Sequence, residues 1–162
     1  AVEPILVDLN QLAGIQNRDN SSDFILSEFG ISVESDLVFD LQSNETLSFG
    51  TGGMGNVYLP YPYWVKANVV DTKIGGEVSN IVMPWASTVG ILDLPDFPYK
   101  VTPLISTSEY GYIDMNLRNL SPNTPTFLEV TEDNFVLSDL GVAIEHPNGS
   151  RLVILGDADW IS

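Results

Sequence analysis

The sequence contains no cysteine. That excludes disulfides, thiol nucleophiles and thiolate metal sites together. It leaves the redox compartment open, because such a chain is at home in any. Cations are scarce too: 6 Lys plus Arg stand against 22 Asp plus Glu, for a formal net charge of −16. Binding nucleic acid needs a cationic face that displaces counterions from phosphates, and six scattered cations do not build one. Anionic membrane surfaces are disfavoured on the same ground. No apolar run approaches the roughly 18–20 residues that cross a bilayer, and no signal peptide is visible. Histidine occurs once, at His146. A triad needs a base beside an activated nucleophile, whereas His146-Pro147 reads as a surface turn. G-x-S-x-G, H-E-x-x-H and Walker A motifs are absent.

What remains is a chain of 162 residues with 44% hydrophobic content, enough for one domain over 1–162 with a proper core. The start at Ala1 suggests a processed product or an excised part of a longer, membrane-anchored protein. Glu3–Leu9 reads as a strand in which Ile5, Leu6 and Val7 are continuous, the pattern of strands covered on both faces, and Val33 with Leu37–Phe39 reads as a second strand closed by Asp40. Between them Asn20–Asp23 offers N-caps for a helix of about two turns through Phe24, Ile25, Leu26 and Phe29, with Gly30 as its C′ residue. Strand, helix and strand in this spacing predict a βαβ unit and a parallel sheet.

Leu47–Trp64 is small, aromatic and glycine-rich, which rules out a regular helix and predicts a long loop or a loose hairpin lying across the domain. Val65–Val70, Ile81–Met83 and Tyr99–Thr107 read as strands, with Pro103 marking an edge or a bulge in the last. Gly75–Asn80 reads as a turn or a single helical turn, and Ser121–Pro125 as linker. Leu140–Glu145 and Arg151–Leu155 flank a turn with Asn148-Gly149 at its tip, which predicts an antiparallel hairpin. The expectation is a strand-rich α/β domain with a mixed sheet, parallel first and antiparallel at its end.

Two groups of residues invite a functional reading. Asp8, Asp40, Asp157 and Asp159 each follow a predicted strand, where ligands of open α/β sheets gather. Converging carboxylates would hold a hard cation such as Mg²⁺ or Ca²⁺, and Asp8, Asp157 and Asp159 are the metal candidates. The favoured alternative is that Asp157 and Asp159 end the last strand and cap the segment after it. Tyr58, Tyr61, Tyr63 and Trp64, with Trp85 further on, form the second group. They suit stacking on a sugar ring or a partner, and equally a lid packed onto the sheet. Gly50-Thr-Gly-Gly-Met-Gly55 spells G-x-G-x-x-G, but Asn56–Pro62 cannot open the helix that a phosphate loop requires, so a glycine turn is expected. Four N-x-S/T matches carry no weight in a chain rich in these residues. No cofactor is implied.

Five short segments, taken in order, resemble one family. They are Phe24–Ile31 (FILSEFGI), Asp36–Gln42 (DLVFDLQ), Ile81–Ser87 (IVMPWAS), Thr102–Ser108 (TPLISTS) and Arg151–Ser162 (RLVILGDADWIS). The series is similar to the auxiliary component of bacterial ABC-type transport systems, a group that includes the gliding-motility-associated ABC transporter component. The resemblance implies a Rossmann-like or glutamine-amidotransferase-like three-layer fold without catalytic residues. It also implies an extracytoplasmic place beside permease and ATPase subunits, with an envelope polymer or sugar as a possible contact. A non-catalytic binding or scaffold role follows from it. The alternatives are a metal-dependent hydrolase using the strand-end carboxylates, or a carbohydrate-binding module built on Tyr58–Trp64.

Overall fold

A computed structural model describes residues 26–50, 55–70, 72–92, 94, 97–115 and 130–157. Ten strands follow in order: β1 (Ile31–Val33), β2 (Leu37–Asp40), β3 (Asn44–Gly50), β4 (Asn56–Val69), β5 (Asn80–Pro84), β6 (Val89–Ile91), β7 (Lys100–Ser106), β8 (Gly111–Asp114), β9 (Asp139–Glu145) and β10 (Arg151–Leu155). Among the described residues helix is confined to a turn at 26–28, the four-residue helix Thr72–Gly75 and a 3₁₀ turn, Glu132–Asn134.

Every strand pair among the described residues is antiparallel. The main sheet runs β10-β9-β7-β4-β3, with β5 on the other side of β4. Two ribbons, β1–β6 and β2–β8, complete the strand set. The expected Rossmann-like or glutamine-amidotransferase-like three-layer α/β fold is therefore corrected: this is a strand-rich, curled antiparallel structure.

The physical reason lies in the connections. A parallel crossover needs a dozen or more residues and a covering helix. Only Glu34–Asp36 separate β1 from β2, and each strand pairs with one much later in the chain, β6 and β8 respectively. The strand expected at Glu3–Leu9 and the caps at Asn20–Asp23 lie outside the described residues. The run that suggested a parallel strand, Leu37–Asp40, is buried along its whole length. Its two covers are a core cluster, which takes Val38, and a group of aromatic rings around Phe39. The strand itself was legible; its burial on both sides and the identity of the covering layers were not.

Strand β9 shows how the core is built. Leu140, Val142 and Ile144 alternate with the period of 2 that puts them on one face, and all three are buried. Leu140 joins Val65, Ala67, Met83 and Leu104 of the neighbouring strands together with Val38 of the β2–β8 ribbon. Val142 and Ile144 join Ile154 of β10 with Ile31 and Val89 of the β1–β6 ribbon. One strand thus carries both clusters, each of its apolar side chains contributing about 1.5–3 kcal/mol by burial.

Local expectations fared better than the global one. The C-terminal hairpin pairs Arg151 with Glu145 through Leu155 with Gly141. The register slips between Pro103 and Ile105, so Pro103 does sit at a bulge. Gly30 has φ 68°, the left-handed C′ conformation glycine supplies. The Leu47–Trp64 stretch is a hairpin arm, β3 against β4, rather than a lid across the body. The β3–β4 register shifts between Asn44 and Glu45, just before this stretch.

Ala86–Thr88 tie these parts together. The Val38 N–H donates to the Ala86 carbonyl (2.8 Å), and the Glu34 N–H to the Thr88 carbonyl (3.0 Å). On the other side the Ser87 N–H donates to the Gly156 carbonyl (2.8 Å), while the Gly156 N–H donates to Leu140 (2.9 Å). The approach at Gly156 leaves no room: an added Cβ would lie 2.0 Å from the Ser87 carbonyl oxygen. Gly156→Ala is expected to cost about 2 kcal/mol or more in urea unfolding, since a clash against backbone is not relieved by a rotamer change. Gly50→Ala, where a Cβ would meet nothing within 4 Å, is the near-neutral control.

Candidate functional site

The aromatic residues singled out in the sequence are brought together, with one exception. Tyr58 stands apart on the arm at 64% relative exposure. Tyr61, Trp64 and Trp85 meet edge to face: Trp64 and Trp85 have centroids 5.6 Å apart at 89°, and Tyr61 lies 6.3 Å from Trp64 and 6.4 Å from Trp85. These are the arrangements the ring quadrupole favours. The Trp85 Nε1–H donates to the Tyr61 hydroxyl (3.1 Å). Tyr61 is itself buried, so it is not a free stacking platform.

Backbone geometry explains how Trp85 arrives there. Pro84 ends β5 opposite Trp64, and Trp85 follows with φ 53°. A bulky residue in the left-handed region is costly, of order 1–3 kcal/mol, and persists only where its surroundings fix it. Here the Trp85 N–H donates to the Tyr63 carbonyl (2.8 Å) and the next residue already bonds β2. Trp85 is the corner at which the chain leaves the sheet for Ala86–Thr88.

From Tyr63 the cluster continues through residues that sequence reasoning missed. Phe39 packs between Tyr63 (5.2 Å) and Tyr112 (4.8 Å, stacked). The Tyr63 hydroxyl donates to Asp114 Oδ2 (2.8 Å) across to β8. Phe39, Tyr112 and Asp114 are far apart in sequence, and β2–β8 pairing alone places them side by side. Pairing of this kind leaves no local sequence signal.

Of the described carboxylates, two are held by the protein's own donors. Asp36, Asp40, Asp114 and Asp157 are all buried. Asp40 accepts the N–H groups of Gln42 (2.9 Å) and Ser43 (2.7 Å) on Oδ1 and that of Ser108 (2.8 Å) on Oδ2. Asp36 accepts the Thr88 N–H (2.8 Å) and hydroxyl (2.6 Å), while Ser87 Oγ donates to its carbonyl (2.8 Å). Asp40 does the work of a turn residue, while Asp36 ties two segments 52 residues apart. Among the described residues no group of three or more His, Asp or Glu is placed to hold a metal. Asp157 sits buried directly after Gly156; Asp8 and Asp159 lie outside the described residues, as does the segment after Asp157.

His146 lies in the β9–β10 turn, where the Asn148 N–H donates to Nδ1 (3.1 Å) and Tyr99 packs against the ring at 5.0 Å. A shallow depression of about 300 Å³ beside it is lined by Pro98, Lys100, Glu145, Pro147 and Gly149. It is open and lacks the convergent polar groups of a ligand pocket.

Two measurements follow. Asp36→Ala strands the buried Thr88 N–H and hydroxyl, and chemical denaturation is expected to show a loss of about 2–3 kcal/mol. Burial pushes the Tyr61 hydroxyl above its ordinary value of 10.0, with the Trp85 hydrogen bond opposing in part. The unfolded chain ionises this tyrosine near 10 while the folded chain holds the proton longer, so stability falls as pH rises beyond 10. Tyr61→Phe is expected to flatten that alkaline decline in thermal unfolding followed from pH 8 to 11; an unchanged slope would place the sensitivity elsewhere.

A model of the family described as an ABC-type uncharacterized transport system matches residues 1–162. No curated protein and no solved structure matches the chain. The match spans every element described above, from the 26–28 turn through the aromatic cluster to Gly156-Asp157. The chain belongs to this family and is an auxiliary component of an ABC-type transport system.

Proposed function

We propose that this chain is a non-catalytic binding or scaffold domain, extracytoplasmic and membrane-anchored in the full-length protein, acting beside the permease and ATPase subunits of an export or gliding-motility system. The observation that supports it most is the β3–β4 arm. It extends from an acidic body with Val57, Tyr58 and Leu59 exposed on consecutive positions. Exposed apolar surface of this kind marks contact sites. The buried acids Asp36 and Asp40 have backbone and hydroxyl donors on both carboxylate oxygens, which favours a structural use over acid–base chemistry. An envelope polymer or sugar is a further candidate contact for the half-buried Tyr63, Trp64 and Trp85.

The test uses the full-length protein in its native membrane. A photo-crosslinking amino acid at position 58 is expected to give adducts with the permease subunit, lost when the permease is deleted. Protease added to intact spheroplasts is expected to cleave the domain. Adducts with no transporter subunit, together with full protection in intact spheroplasts, would refute both the role and the location.

A further inference from the structure

The arm has one usable edge. Strand β3 ends the main sheet, and among the described residues nothing pairs with its outer side. The opposite ladder strand, β4, carries Pro60 against Thr46, and a proline has no N–H for an incoming strand. The Thr46 N–H donates to Glu45 Oε1 (3.0 Å) rather than to β4, so it points outward. By the alternation of an antiparallel ladder, the N–H and carbonyl groups of Ser48 and Gly50 point outward as well. An open row of this kind is a template for another strand.

Charge says which strand. The chain carries −16, and two copies repel one another over most of their surfaces. From Asn44 to Tyr63 the sequence holds one charged residue, Glu45, and Lys66 lies 3.4 Å from its carboxylate. The arm is the stretch along which a second acidic copy meets the least repulsion. A two-stranded ribbon is also marginal by itself, whereas four strands are not.

We propose that β3 of one chain pairs antiparallel with β3 of a second copy, forming a two-fold dimer with Ser48 on the axis. Thr46 then lies opposite Gly50 of the second copy, and the contact is isologous. Glu45 holds the Thr46 N–H and so marks where the pairing stops. The inference does not depend on the transport role, because its test reads only the mass of the purified chain and the meeting of one side chain with its copy.

A seven-residue edge buries far less than the roughly 1,600 Å² of a standard interface, so dissociation near about 0.1 mM is expected. In sedimentation equilibrium across that concentration the mass should rise from 17.7 kDa towards twice that value. Added salt should favour the dimer, since it screens repulsion between like-charged bodies. Ser48→Glu opposes two carboxylates on the axis and should hold the protein monomeric with an unchanged melting temperature. The chain has no cysteine, so Ser48→Cys reports the register directly. A short bismaleimide should couple it at least about tenfold faster than Ser150→Cys at the far hairpin, because facing thiols have a high effective concentration. A monomer at every concentration, a dimer that salt dissolves, or Ser48→Cys coupling no faster than Ser150→Cys would each overturn the proposal.

Discussion

Ala86, Ser87 and Thr88 belong to none of the ladders, yet most of the molecule is attached through them. One side of the segment bonds Glu34, Asp36 and Val38, and the other bonds Gly156 at the end of β10. The seam adds backbone hydrogen bonds that join both ribbons to the end of the main sheet. Two local conditions permit it. Gly156 has no Cβ to strike the Ser87 carbonyl, and Asp36 satisfies both the N–H and the hydroxyl of Thr88 in a place sealed from water. A backbone donor left unpaired there would cost about 1–3 kcal/mol.

The same seam sets the aromatic cluster. To leave β5 and reach Ala86 the chain turns at Trp85 through a left-handed conformation, and the turn carries the indole onto Trp64 and Tyr61. Tyr63 and Phe39 extend the packing to β8, where Asp114 receives the Tyr63 hydroxyl. Apart from Tyr58, the aromatic group singled out in the sequence joins Phe39 and Tyr112 in one layer beside β2. It stiffens the root of the β3–β4 arm. Beyond that root the arm has the apolar positions Val57, Tyr58 and Leu59 exposed.

The acids divide into two populations with different physics. Among the described residues Glu28, Glu34, Glu77, Glu109, Glu132, Asp133 and Glu145 are exposed and contribute to a net charge that repels anionic surfaces. Asp40 instead organises a turn from inside and Asp36 holds the distant Thr88, so that buried N–H groups find partners. Burial also raises Asp139 above the ordinary carboxylate range. Its side chain remains partly in water, and solvent moderates the effect on stability.

The sequence by itself determined what rests on near neighbours. The C-terminal hairpin follows from Asn148-Gly149, the bulge from Pro103, the helix stop from Gly30, and family membership from short segments in order. Each depends on backbone chemistry within a few residues or on the order of motifs along the chain. Only the tertiary structure decided what rests on distant pairing. Leu37–Asp40 shows a buried run whether its covers are helices or strands, so the parallel three-layer expectation and the observed antiparallel sheet shared one local pattern. Phe39, Tyr112 and Asp114 joined the aromatic group because β2 happens to pair with β8. The partner of a strand is chosen by packing across the whole domain, and a hydrophobic period records burial without recording what does the burying.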